Sequence, residues 1–208
     1  MTRPNAQRQF LADVVARTLV GGLFALLSVN LLTDFIQTQR VTGLLLLISE
    51  SLVVVLTITR RRANIVDRST GAAIVTAMSL AGPVLLRTSN GPGVLPDLAT
   101  VAISAVGLII VIASKVTLGR SFGIVPANRG VVVGGPYCVV RHPIYAGYVV
   151  THVAFACAHP TGWNIALVVA TDAALMIRAM YEERVLLKDR LYQTYCQRVA
   201  WHVVPGVF

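Results

Sequence analysis

Two short stretches hold most of the residues able to do chemistry. The first reads Gly134-Gly135-Pro136-Tyr137-Cys138-Val139-Val140-Arg141-His142-Pro143-Ile144-Tyr145-Ala146-Gly147-Tyr148, polar and turn-rich in an apolar chain. An arginine can hold a carboxylate or phosphate through paired hydrogen bonds, and a histidine can exchange a proton near neutral pH or donate a hydrogen bond. Pro143 suits the first turn of a helix, so Arg141 and His142 are presented just before one. Tyr137, Tyr145 and Tyr148 line the same pocket or form an interfacial aromatic belt. The second stretch is Arg178-Ala179-Met180-Tyr181-Glu182-Glu183-Arg184-Val185-Leu186. On a helix, Arg178 and Glu182 face each other, while Glu183 points about 100° away toward another partner. A cationic ligand, or Arg141, would give these two acids a purpose. Taken singly, the same residues have plainer uses: Arg141 reaching headgroups, His142 capping a helix, the acids forming an interfacial ion-pair set.

Glu50 and Asp172 fall inside apolar stretches, where a charge is costly and points to function. Glu50 sits between Ser49 and Ser51, which offers a helix-packing hydrogen bond. Neither acid has an obvious basic partner in the sequence. A small proton- or cation-coupled transporter would use such acids. The four histidines, His142, His152, His159 and His202, are too scattered for a metal site, and His152 reads as a packed or interhelical residue. Cys138, Cys157 and Cys196 read as isolated thiols. There is no dinucleotide fingerprint, phosphate loop or zinc-protease motif. The glycines of Gly119-Arg120-Ser121-Phe122-Gly123 would permit close approach of a ligand, a weak signal alone.

The elements that position these residues are apolar helices. The 208-residue chain is 55% hydrophobic and 13% charged, well below the charged share of soluble domains. Apolar stretches run Leu19–Thr33, Val41–Thr59, Thr70–Leu86, Leu98–Ser114, Ile144–Ala158 and Trp163–Ile177, each near or below the usual span of about 20 residues. Tilt and apolar flanks make up the difference. The first lacks a small-residue cleavage site and is followed by further spans, which argues against a secretory signal. Arg60-Arg61-Arg62 closes the second stretch as a topology anchor. Of the 18 basic residues, only Arg40 and Arg87 fall in the alternate set of loops. The positive-inside rule therefore places both termini and the Arg141 stretch on the cytoplasmic side. The expected fold is an all-α polytopic membrane protein, one domain over 1–208, with about six spans; five with one re-entrant or broken pair is the alternative. The net charge of +9 does not indicate nucleic acid, because the basic residues are spread over short loops.

With these residues in hand, the chain resembles the integral-membrane methyltransferases that include isoprenylcysteine carboxyl methyltransferases and phospholipid methyltransferases, as a small prokaryotic-type member. The resemblance runs from about Leu118 to Pro205. It rests on Gly135-Pro136-Tyr137, Arg141-His142-Pro143-Ile144-Tyr145-Ala146-Gly147, Arg178 with Glu182-Glu183 and Leu186, then Tyr192, Tyr195 and Pro205-Gly206. It implies N-terminal transmembrane helices over 1–117 and a catalytic region over 118–208 that forms a cytoplasmic cofactor pocket. The implied methyl donor is S-adenosylmethionine, with no metal. Gly135, Tyr137, His142, Pro143, Tyr145, Gly147, Glu182 and Glu183 would bind it, and Arg141, His142, Arg178 and Glu182 would form the catalytic set.

A sulfonium is cationic, so nearby carboxylates favour it, while an arginine can hold the donor's carboxylate. Methyl transfer by direct displacement needs alignment more than a covalent intermediate. A carboxylate or thiol acceptor needs little base catalysis once ionised; an amine or hydroxyl calls for a base. The small extramembrane segments leave little room for docking a protein, so no obligate protein partner is expected. The expected substrate is a small lipophilic molecule or lipid entering from the bilayer, with an isoprenylcysteine-like carboxylate as one candidate and a phospholipid amine as the alternative. The expected location is a bacterial inner membrane.

Overall fold

The computed structural model describes residues 41–207 apart from 64 and 90, together with positions 14, 18, 22, 29, 32 and 36; the side chains of 41–44, 46 and 47 fall outside that description. Apart from positions 22, 29 and 32, the expected first span, Leu19–Thr33, lies outside the described residues. Helix α1 is Val41–Thr59 and α2 is Thr70–Ala81, extended by a 3-10 turn over Gly82–Leu85. Helix α3 is Asp97–Leu118, α4 is Pro143–Ala158, α5 is Gly162–Leu186 and α6 is Arg190–Arg198. Local signals set the ends. Ser69 and Thr161 accept from the amides of Ala72 and Asn164 at 3.2 Å, starting α2 and α5. Pro83 stops α2, and Gly119, at φ +50°, ends α3. Helix α5 runs nine residues beyond the apolar stretch and ends at Leu186, after which the Asp189 carboxylate caps α6 through the amide of Leu191 at 2.9 Å.

The helices turn apolar side chains outward and polar ones inward. Leu98 is 81% exposed, and Val55, Ile58, Ile74, Val106, Ile109, Val169 and Met180 are also exposed. Ser49, Thr57, Ser114, Lys115, Asn164 and Arg178 are buried. Water would penalise that arrangement, whereas hydrocarbon around the bundle would favour it. Two helices, Asp97–Ser121 and Gly162–Leu186, are long and apolar enough to cross a membrane; Ile48–Thr59, Thr70–Leu85 and Pro143–Ala158 are shorter apolar helices.

Helix α3 is the central post, with α1 on one side and its most extensive contact on α4. Gly107 and Gly147 make that contact. A Cβ on Gly107 would stand 2.8 Å from the Gly147 carbonyl oxygen, and one on Gly147 would stand 2.6 Å from that of Gly107. Small residues let the two backbones touch. Helix α2 packs on α5.

The connections gather at two ends. At one, Ile65–Val66 (β1) pairs antiparallel with Ala127–Asn128 (β2), the one departure from an all-helical fold among the described residues. The Arg61 amide donates to the Arg120 carbonyl at 2.7 Å, and Asn128 donates to Asp189 at 3.1 Å. Thus the basic stretches 60–68, 120–141 and 184–198 share one end, as the alternation of loop charge anticipates. At the other end, Asn164 accepts from the Arg87 amide at 3.1 Å, and Val94 donates to the Cys157 carbonyl at 2.8 Å. Arg87 lies over the Trp163 ring.

Candidate functional site

Arg141 and His142 sit where a 3-10 turn, Gly135–Cys138, hands the chain to α4. Gly135 makes that turn at φ +58°, backed against Thr117, where a Cβ would lie 2.9 Å from the hydroxyl. His142 occupies the helix N-cap position, but its side chain makes no cap bond and is left for other partners. The C-terminal tail fixes both residues. The Arg141 and His142 amides donate to the carbonyls of Trp201 and His202 at 2.9 and 2.7 Å, and Tyr195 donates to the Tyr137 carbonyl at 2.7 Å. Burial raises the phenol pKa of both Tyr137 and Tyr195, so these hydroxyls stay protonated.

Helix α5 brings the acids across. Arg141 Nη1 donates to Glu183 Oε2 at 3.1 Å, while Nε and Nη2 donate to the carbonyls of Val199 and Cys196. His142 Nε2 lies 3.1 Å from Glu183 Oε1 and its Nδ1 lies 3.7 Å from Glu182 Oε2. His202 adds a third group at 3.3 Å from Glu183 Oε2. Glu183 is therefore a structural node facing Arg141, as the 100° offset anticipates. Glu182 differs. Tyr145 donates to its Oε1, Arg178 Nε approaches at 3.4 Å as the four-residue spacing anticipates, and its side chain retains 20% exposure against 9% for Glu183. Arg178 also donates to Ser79 on α2 and to the Ile124 carbonyl, tying three stretches to one guanidinium.

A cavity of about 1160 Å³ opens against this cluster. Arg129, Tyr137, Arg141, His142, Tyr145, Arg178 and Glu182 line its polar end. From there it follows α4 past Tyr148, Thr151, His152 and Phe155 to Ala158, with Leu108 and Leu175 among its apolar walls. The rings of His142 and Tyr145 stack at 5.4 Å, and those of Tyr148 and His152 at 6.3 Å, forming a ladder from mouth to interior. Of the residues singled out from the sequence, Tyr137, Arg141, His142, Tyr145, Arg178 and Glu182 meet at the cavity wall. Glu183 stands behind Glu182, Pro143 is fully buried in the first turn, Gly135 backs onto α3 and Gly147 belongs to the α3–α4 contact.

The two interior acids do have basic partners. Glu50 Oε1 lies 3.8 Å from the ammonium of Lys115, which is wholly buried and donates to the Ser49 carbonyl and hydroxyl at 3.0 and 2.8 Å. Asp172 Oδ1 lies 2.6 Å from His152 Nδ1. Each pair joins different helices, so spacing along one helix could not reveal it. The tail carbonyls and His202 were equally hidden, because backbone acceptors carry no sequence signature. No group of three metal-ligating side chains forms among the described residues.

Residues 98–194 match the family model described as phospholipid methyltransferase. The matched segment runs from the start of α3 into α6 and carries Arg141, His142, Tyr145, Arg178, Glu182 and Glu183. It is the family to which the motifs point, and it makes methyltransferase the class suggested for this site. No curated protein matches the chain.

Proposed function

We propose that the protein is a membrane-embedded, S-adenosylmethionine-dependent methyltransferase acting on a small lipophilic or lipid acceptor, with its polar cluster at the cytoplasmic face. The carrying observation is one cavity that joins a carboxylate-bearing polar end to an apolar trough along α4. The donor set fits the cofactor: Glu182 offers partly open negative charge to a cation, and the histidine and tyrosine rings beside it offer flat surfaces. When bound, the cofactor supplies an electrophilic methyl group. Glu182 would hold its cationic part, Tyr145 and Arg178 would keep that carboxylate oriented, and Glu183 with Arg141 would anchor the wall behind. His142 spans both acids, which makes it a positioning group rather than a free base. The trough would take the acceptor's tail, worth about 0.8 kcal/mol per buried methylene.

The match to phospholipid methyltransferases favours a phospholipid-type acceptor over an isoprenylcysteine-like carboxylate. Glu50 and Asp172, the acids a transporter would use, pair with Lys115 and His152, and Glu50 also lines the cavity. Calorimetric titration of S-adenosylmethionine into nanodisc-held protein tests the reading. One-site binding, weakened at least tenfold by Glu182→Gln, is expected; no saturable binding by folded protein would refute it.

A further inference from the structure

The His152–Asp172 pair is not used by the cluster at the mouth, and its placement is informative. His152 is buried, lines the cavity on the same wall as Tyr145 and Tyr148, and its Nδ1 is held by Asp172 from the neighbouring helix. With Asp172 ionised and the imidazole neutral, Nδ1 donates to the carboxylate and Nε2 carries the lone pair. No hydrogen bond to Nε2 forms among the described residues. His152 lines the cavity, whereas Asp172, its partner on the neighbouring helix, is not among the lining residues. His152 follows Tyr145 by two helical turns, about 10 Å of rise, and helical side chains lean toward the N-terminus. The His152 ring lies nearly parallel to that of Tyr148, with centroids 6.3 Å apart. The charged group nearest this ladder from α3 is Lys115, over the Tyr148 ring at 5.6 Å and tied to Ser49 and Glu50 of α1.

We propose that His152, oriented by Asp172, is the proton acceptor for a protic methyl acceptor: an amine or a hydroxyl, not a carboxylate. The inference rests on the methyl-transfer reading and narrows its substrate class. A carboxylate arrives ionised and gains nothing from a bare Nε2 backed by an aspartate. An ammonium or hydroxyl must lose a proton to become nucleophilic. The acceptor's nitrogen or oxygen lone pair forms the new bond to the methyl carbon, the carbon–sulfur bond breaks with its pair kept by sulfur, and the acceptor's proton passes to Nε2. The imidazolium formed is then stabilised by Asp172. The same carboxylate–imidazole arrangement orients general bases elsewhere.

The test uses the full chain in nanodiscs with ¹⁵N-labelled histidine, and dodecylamine, dodecanol and dodecanoate as probes. The His152 resonances, assigned by their loss in His152→Gln, should show protonated Nδ1 and bare Nε2. Dodecylamine or dodecanol should shift Nε2, dodecanoate should not, and Asp172→Asn should abolish the tautomer preference. In single turnovers, His152→Gln should slow methylation of the protic probe 10²- to 10⁴-fold while S-adenosylmethionine affinity stays within twofold. Two results would overturn the proposal: methylation of a protic probe within threefold of wild type by donor-binding His152→Gln, or an Nε2 signal indifferent to both protic probes. Wild type that methylates only dodecanoate would also overturn it. Failure of donor binding in wild type would instead strike the methyl-transfer reading, with the Nε2 shift still deciding whether the dyad meets a protic ligand.

Discussion

Adjacent glutamates on α5 carry different tasks because one helical step turns them toward different surroundings. Glu183 is held by Arg141, His142 and His202, so its removal leaves an arginine and two histidines without their shared carboxylate. Breaking one partner of a buried pair costs about 3–5 kcal/mol. Glu183→Gln should therefore lower the unfolding temperature and donor affinity together. Glu182→Gln, at the more open position, should weaken donor binding with a much smaller thermal shift. Thermal unfolding beside calorimetry separates the two; equal thermal shifts would contradict the division. The thiols offer a second residue-level check. Cys138 is exposed, whereas burial raises the pKa of the partly buried Cys196, leaving less of its thiolate at any given pH. Maleimide at pH 8 should modify Cys138 well before Cys196, as peptide mass spectrometry would reveal.

At the scale of elements, the α3–α4 contact depends on two missing side chains. Gly147→Ala should force the backbones apart and destabilise by about 1–3 kcal/mol, the usual cost of overpacking. Gly107→Ala should do the same, and the double variant should cost less than the sum, because both substitutions open one contact. Unfolding midpoints of the three variants measure this. Gly147 also illustrates how legible the chain was. The resemblance implies a place for it at the cofactor, and in the structure it forms the close α3–α4 approach and is not among the cavity-lining residues. The boundaries of α1 and α4 and the start of α5 follow closely from apolar runs and from Pro143, since such signals are local. Arg178 with Glu182 was legible from four-residue spacing. Lys115 with Glu50, His152 with Asp172, and the tail's hold on Arg141 were not, because each depends on which helices become neighbours.

Across the whole molecule, the charge pattern and the two clusters of connections give an orientation that labelling can check. Cys138 lies at the end that gathers the basic loops, and Cys157 at the end near Arg87 and Trp163. With the basic end cytoplasmic, a membrane-impermeant maleimide should reach Cys138 in inside-out vesicles and not in intact cells. Single-cysteine variants keep the readout clean. The reverse pattern would invert the proposed topology and move the cavity mouth to the outer face.

The distance along the chain between Arg141–His142 and their acids also has a consequence for biosynthesis. His142 and Glu183 are 41 residues apart. At roughly 5–20 residues per second, a ribosome needs about 2–8 s to make that stretch. During this interval α4 is itself being made, and the Arg141–His142 pair before it still lacks the carboxylates that later hold it. The nascent chain thus has a vulnerable period that ends only when the last long helix is inserted, and ribosome stalling between the two stretches would strand the protein with its site half built.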